Sequence, residues 1–453
     1  MLESAALAGG RKAGTGHLVR PAHWCYRGDN VGMKRASKRS RWCGLGCVLV
    51  CAAVLLTDAD AWGQAAAFRR IAAAGQAAPG GGVFAQFDVE QQPVVAPVNA
   101  SGQVAFFASL GRSTVEEAIF LHGASGTVRL AAQGDAAPGG GVFAGFAKHP
   151  MLALNGPGAV LFVASLAEAG STEGLFLARD GRVEAIARVG DKAPGFSAGT
   201  LSEFDLPALN DSGTGVFIAA VRQGRETREG IFRFREHRVE KVIALGDPAP
   251  GGGTFAGFGA PVLNNAGTVV FPAVVEKGVA AGGIYRITPG GADMVVGAGD
   301  PAPGGGIFYQ FSERIAMDDE GRVAVFAMLR EAASESALVL VDSRGPRILA
   351  SLGASAPGGG TFVSFGPWPS ISPAGAVAFV AGVDNGPSGS SIFLSDAQGL
   401  RRVVGQGDRL GAREVYAALP LYPVVSVNSR GAVTFATLAT EGKGQTGIAY
   451  YGP

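Results

Sequence analysis

Apolar positions in this chain come in short bursts. Runs of four to seven β-branched and aromatic residues, bounded by Gly, Pro, Asn and Asp, recur from about residue 68 to the end. That is the signature of strands between tight turns. No window holds the helical spacing of apolar residues over ten or more positions, so the pattern predicts an all-β protein. One strand recurs with a telling pattern. Two residues past a recurrent glycine stand Val104, Val160, Gly215, Val269, Val323, Val377 and Val433; four past it stand Phe106, Phe162, Phe217, Phe271, Val325, Phe379 and Phe435. These share one face of a period-2 strand. The other face carries Ala105, Leu161, Val216, Val270, Ala324, Ala378 and Thr434. A strand apolar on both faces has to be covered on both sides.

The recurrence has two interleaved units. One is Asn-x-x-Gly-x-Val-x-Phe, with its glycine at Gly102, Gly158, Gly213, Gly267, Gly321, Gly375 and Gly431. The other is Gly-Asp-x-Ala-Pro-Gly-Gly-Gly-x-Phe-x-x-Phe, led by Gly75, Gly134, Gly190, Gly246, Gly299, Gly353 and Gly407. Seven copies at a near-constant period point to a repeat architecture. Each period reads as four strands; in 264–311 they fall at 268–274, 283–287, 293–296 and from Phe308 or Phe311 onward. Four-stranded sheets stacked radially, each against two neighbours, give every sheet two covered faces. The expectation is therefore a seven-bladed β-propeller. After the leader the chain opens on the third strand of a period (68–73) and ends on the second (447–451). Pairing these terminal strands would close the ring and remove the free edges. One domain is expected, 62–453.

Composition refines this. Glycine supplies 71 of 453 residues and charged residues only 17%, a turn-rich apolar chain. The net charge of +1 conceals a split, because nine of the 38 Lys/Arg but four of the 37 Asp/Glu lie in residues 1–61. The remainder is mildly acidic without basic clusters, which argues against nucleic acid as a partner. From Met33 the sequence has the parts of a secretion signal: a basic stretch from Lys34 to Arg41, an apolar run over 43–56, then Ala59-Asp60-Ala61. Residues 33–61 are read as a signal peptide and 1–32 as a spurious or disordered extension. The alternative for the apolar run is an uncleaved anchor, for which 14 residues are short. All four cysteines (Cys25, Cys43, Cys47, Cys51) precede the cleavage site, so the mature chain has no disulfide. The expected product is a secreted or periplasmic monomer with no stable membrane insertion.

The repeated units are first of all turns. Asn folds its side chain onto the backbone and Gly accepts positive φ, while Asp318 and Ser372 keep the capping ability. No Asp-x-Asp-x-Asp spacing supplies calcium ligands. Ala-Pro-Gly-Gly-Gly lacks the Lys-Ser/Thr and helix of a phosphate loop. The aspartates Asp135, Asp191, Asp247, Asp300 and Asp408 give way to Gln76 and Ala354 elsewhere, which suits a turn or inter-blade bond better than a catalyst. The pairs Phe143/Phe146, Phe255/Phe258 and Phe362/Phe365, three apart, imply a bulge between two core rings. No metal and no cofactor is expected.

The units Asn99–Phe106, Asn210–Phe217, Asn264–Phe271 and Asn428–Phe435 resemble those of the bacterial NxxGxxAF tandem-repeat proteins, which are exported and have no assigned activity. Many of those carry C-terminal anchors; this chain ends at Tyr450-Tyr451-Gly452-Pro453, without a hydrophobic tail. The stretch Pro369-Ser370-Ile371-Ser372-Pro373-Ala374-Gly375 also resembles the Ser-Pro-Asp-Gly repeat of the periplasmic Tol-system propeller, which implies fold and no function.

Shared residues are scaffold, so a site is sought where copies differ. The strand before each Asn-x-x-Gly, expected to be innermost, differs most: Lys148, His149, Glu203, Asp205, Glu313, Arg314, Trp368 and Tyr422. Unlike polar and aromatic groups around one mouth suit ligand binding; the plainer reading is solvated loop residues. His122, His149 and His237 occupy unrelated repeat positions, which disfavours a triad or multi-histidine metal site. No catalytic residue is assigned. The leading expectation is an exported, non-enzymatic propeller binding a protein or polysaccharide at its mouth, or serving as scaffold. The alternative is a glycan-active hydrolase or lyase drawing two carboxylates from Glu203, Asp205 and Glu313.

Overall fold

The computed structural model describes residues 67–87, 96–408, 416–418, 424–439 and 446–452. All belong to one compact unit, Ala66–Pro453. Residues 1–61, expected to be an extension and a signal peptide, and Tyr422 lie outside the described residues.

Every described element is a strand, and the strands form seven antiparallel sheets arranged as a seven-bladed β-propeller. Blade 5 shows the plan: Ile307–Met317 pairs with Val323–Arg330, then Ser336–Asp342, then Gly345–Ser351, from the axis outward. In blades 2, 4, 6 and 7 the innermost strand is broken in two, as in Val142–Gly145 and Leu152–Leu154 of blade 2. Blade 7 closes the ring. Its outermost strand is Ala67–Ala73 from the start of the unit, paired with Thr446–Gly452 from the end. The expected pairing of terminal strands holds.

Seven clusters of buried apolar side chains fill the seven clefts between blades, so no blade has a core of its own. The two faces of one strand join different clusters. Val104 and Phe106 pack with Ile448 and Tyr450 of blade 7, while Ala105 and Phe107 pack with Phe143 and Phe162 of blade 2. Where Gly215 replaces the usual valine, the Phe234 ring occupies the space a Cβ would need. The phenylalanine pairs sit across the expected bulge, with register shifts at Phe143/Gly145, Phe255/Gly257 and Phe362/Ser364.

The repeated turns do more than cap. Asn155 Oδ1 accepts the Ala159 N–H at 2.7 Å, and Asn210 Oδ1 accepts that of Thr214 at 2.9 Å. The other half of each amide crosses to the next blade: Asn99 donates to the Asn155 oxygen, Asn155 to Asn210 and Asn210 to Asn264, each at 3.0 Å. Asn428 of blade 7 donates to the Asn99 oxygen at 3.1 Å across the closure. Asp318 has no amide to give; it binds Arg322, whose guanidinium lies where a Cβ on Gly375 of blade 6 would collide. The aspartates of the second unit cap their own turns, as when Asp247 accepts the Ala244 N–H at 2.9 Å. The third glycine of that unit is needed for contact as well as for φ. At Gly253 (φ +78°) a Cβ would strike the Glu276 carbonyl at the end of the paired strand Val269–Glu276.

Candidate functional site

The repeat register fixes depth along the axis. Four residues before each Asn-x-x-Gly position stand Met151, Leu206, Ala260, Arg314, Trp368 and Val424, one from each of blades 2 to 7. They surround an axial cavity of about 270 Å³. Below them lie small residues, Ala208, Ala316, Ser370 and Ser426, also at equivalent positions. The serine oxygens bridge blades: Ser370 accepts the Val427 N–H at 3.1 Å and Ser426 that of Val98 at 3.2 Å. Among the side chains of this level stand one cation and one indole. The Arg314 guanidinium lies 3.9 Å from the centre of the Trp368 ring, a cation–π stack between neighbouring blades.

A charged cluster lies one to three residues further from the turns. Lys148 and His149 come from the break in the innermost strand of blade 2, and Glu203 and Asp205 from Thr200–Leu209 of blade 3. Between them stands Glu173, the first residue of Glu173–Arg179, with a side chain only 4% exposed. One Glu173 oxygen lies 2.6 Å from Lys148 Nζ and 3.4 Å from His149 Nε2; the other accepts the Phe204 N–H at 2.9 Å. His149 Nδ1 lies 3.5 Å from Asp205, and Lys148 Nζ 3.5 Å from Glu203. No aligned acceptor faces His149 Nε2, so its tie to Glu173 is electrostatic.

Burial opposes the charge on His149, but Asp205 and Glu173 outweigh it and its pKa is pushed up to about 9. Burial likewise opposes ionisation of Glu173, yet His149, Lys148 and the Phe204 N–H hold its carboxyl below the usual range. Asp205 is held down against burial by His149, the Arg314 charge and the Leu206 N–H. At neutral pH the cluster is therefore a set of alternating fixed charges running from Lys148 to Arg314. The backbone beside it is strained: Leu206, directly after Asp205, has φ +52°. An unbranched-Cβ aliphatic in the left-handed region costs roughly 1–2 kcal/mol, and such strain concentrates at functional sites.

Six of the eight sequence candidates fall along this line: Lys148, His149, Glu203, Asp205, Arg314 and Trp368. Glu313 does not join it; its side chain is exposed, and its main-chain oxygen accepts the Ala260 N–H at 2.8 Å. Glu173 was not anticipated. The signal was present, since Glu117 and Glu173 open the equivalent strand in consecutive blades and Glu229 holds the same register position within Glu226–Arg235 of the next. Glu117 likewise binds the next blade, taking the Phe146 and Ala147 N–H groups at 2.6 and 3.0 Å.

A family model, DUF7453, matches residues 58–345, well over half of the chain. The chain belongs to this family of unknown function. The matched segment of the DUF7453 propeller includes Lys148, His149, Glu173, Glu203, Asp205 and Arg314, and stops short of Trp368. No curated protein matches the chain. Among solved structures it is similar to an oligogalacturonate lyase in complex with manganese, at 11% identity and TM-score 0.48, over 85% of this chain and 98% of that one. It is similar also to a puromycin-hydrolyzing peptidase from Mycobacterium tuberculosis, at 11% identity and TM-score 0.46, over 80% and 53%. A gluconolactonase from Xanthomonas campestris aligns at 10% identity and TM-score 0.32, over 65% and 82%.

Proposed function

We propose that this DUF7453 propeller is an exported, non-enzymatic binding or scaffold protein that takes a protein or polysaccharide ligand at the channel mouth. One observation carries the reading: the clustered charges are spent on one another, Lys148 lying against Glu173 and Glu203 and His149 against Glu173 and Asp205. A glycosidase needs one protonated carboxyl beside an ionised one. Glu173 and Asp205 are both held below the ordinary carboxylate range, and His149, at about 9, keeps its proton and cannot act as a base at neutral pH. A compensated charge array beside a stacked indole suits recognition. Export rests on the basic–apolar–Ala-x-Ala leader and on the resemblance to exported NxxGxxAF repeat proteins.

The test is a glycan array and a protein-ligand screen on the full chain, with Trp368→Ala and Glu313→Gln in parallel, each hit then assayed for cleavage. Retention without turnover, weakened at least tenfold by Trp368→Ala, is the expected result. Release of new reducing or unsaturated ends from a retained glycan, abolished by His149→Gln, would sink the binding reading in favour of a hydrolase or lyase.

A further inference from the structure

The tripeptide Asn-Gly-Pro occurs twice in the chain, at Asn155-Gly156-Pro157 and at Asn385-Gly386-Pro387. An Asn followed by Gly is open to attack on its side-chain amide by the next main-chain nitrogen, because glycine has no Cβ to screen that nitrogen or restrict its peptide unit. The fold treats the two copies in opposite ways.

Asn155 belongs to the belt of repeated turns and is only 5% exposed. Both halves of its amide are held, Nδ2 by the Asn210 oxygen and Oδ1 by the Ala159 N–H. The nitrogen that would attack is taken too, since the Gly156 N–H donates to Asp211 of blade 3 at 2.6 Å. Asn385 instead lies exposed in the loop between Val377–Asp384 and Ser390–Asp396 of blade 6, at the end away from the Asn-x-x-Gly turns. The residue after the second strand is left-handed in five blades, at Arg112, Glu168, Lys277, Glu331 and Asn385. Asn tolerates that conformation well, which accounts for its place here. The Asn385 main-chain N–H and Nδ2 both donate to the adjacent Asp384 carboxylate, at 2.9 and 3.1 Å. Among the described residues the Gly386 N–H meets no acceptor.

We infer that Asn385 is a site of spontaneous deamidation and isoaspartate formation, and that Asn155, in the same tripeptide, is shielded from it. The Gly386 nitrogen gives its proton to hydroxide and bonds to Asn385 Cγ. The Cγ–Nδ2 bond breaks, and Nδ2 takes a proton from water and leaves as ammonia. Water then opens the cyclic imide at either carbonyl. One opening yields aspartate; the other yields an isoaspartyl link that carries the main chain through the former side chain. The loop has no room for that link. A Cβ on Gly386 would lie 2.7 Å from the Gly359 oxygen, and one on Gly360 2.7 Å from the Gly386 nitrogen. The link adds a methylene to the main chain at this contact and sets a carboxylate beside that of Asp384, where an amide now donates. The modified loop therefore lifts from the triple-glycine loop of its blade.

The test is peptide mapping by mass spectrometry on the folded full chain, aged at pH 8 and at pH 5. The peptide holding Asn385 should gain about one dalton and split into aspartyl and isoaspartyl forms, at least tenfold faster at pH 8, because the attacking nitrogen must lose its proton. The peptide holding Asn155 should lag at least tenfold in the folded chain and draw level in urea, where only the shared tripeptide counts. Asn385→Lys places there the residue type that blade 4 holds at Lys277 (φ +58°), and should abolish the isoaspartyl signal with the thermal midpoint kept. Aged parent, unlike aged Asn385→Lys, should be cut faster by protease within 384–389. Equal rates at the two asparagines in the folded chain overturn the shielding of Asn155. A folded Asn385 that stays unmodified while both sites react in urea overturns the site itself. Unchanged protease resistance of the isoaspartyl form overturns the lifting of the loop.

Discussion

Asn210 of blade 3 donates its side-chain amide to the main-chain oxygen of Asn264 in blade 4 at 3.0 Å, while its Oδ1 takes the Thr214 N–H at 2.9 Å. Each half of the amide has a different task, one closing the turn and one joining blades. Asn210→Ser keeps an acceptor for the turn and loses the donor to blade 4. The Asn264 oxygen keeps the Gly267 N–H at 3.0 Å, so losing the one bond between blades should cost about 0.5–1.5 kcal/mol in urea denaturation. A variant as stable as the parent would show the belt to be incidental.

Phe271 is fully buried in the cleft between blades 3 and 4, against Phe255 and Tyr285. Phe271→Ala should destabilise by about 3–5 kcal/mol, the usual cost of an aromatic-sized hole. A loss well under 1 kcal/mol, read from the urea midpoint at constant slope, contradicts the burial.

The charged cluster links stability to pH. The folded pKa of His149, about 9, lies above its ordinary 6.5, so its contribution is complete below about pH 6.5 and lost as pH rises to about 9. That difference corresponds to a stabilisation on the order of 3 kcal/mol. Glu173 and Asp205 behave oppositely: with folded values below 4.5 and 3.8, their contributions hold above those values and disappear as pH falls beneath them. Thermal midpoints taken from pH 6 to 9.5 should decline for the parent and run flatter for His149→Gln. Parallel curves would mean that His149 is not the titrating group.

Ring closure has a direct test. Removing residues 1–73 deletes the strand that covers Thr446–Gly452 and takes Ile71 and Ala72 out of the blade 7–blade 1 cluster. The exposed edge and the opened cleft should abolish cooperative unfolding and bring aggregation. Retention of a monomeric, cooperatively unfolding chain would argue that the other six clefts suffice.

Much of this architecture is legible in the sequence. Val104 and Ala105 are consecutive and both apolar, and their strand indeed packs against two blades; the spacing of Phe143 and Phe146 indeed marks a bulge. The site was legible only in part. Lys148, Asp205, Arg314 and Trp368 stood out because their repeat equivalents differ, but Glu173 was hidden, since a glutamate shared by three copies looks like scaffold. Glu173 does serve as scaffold, taking the Phe204 N–H with one oxygen, and it joins the charged line only through the other.

The sequence by itself determined the strands, their number and the way the ring closes, because those follow from local periodicity and from where the repeat is cut. Only the tertiary structure decided which charges meet. Arg314 and Asp205 come from non-adjacent blades, and the pairing of Arg314 with Trp368 depends on the circle bringing residues more than fifty positions apart to one depth. Sequence spacing states the period of a repeat; the field at its axis is the sum over every blade at once.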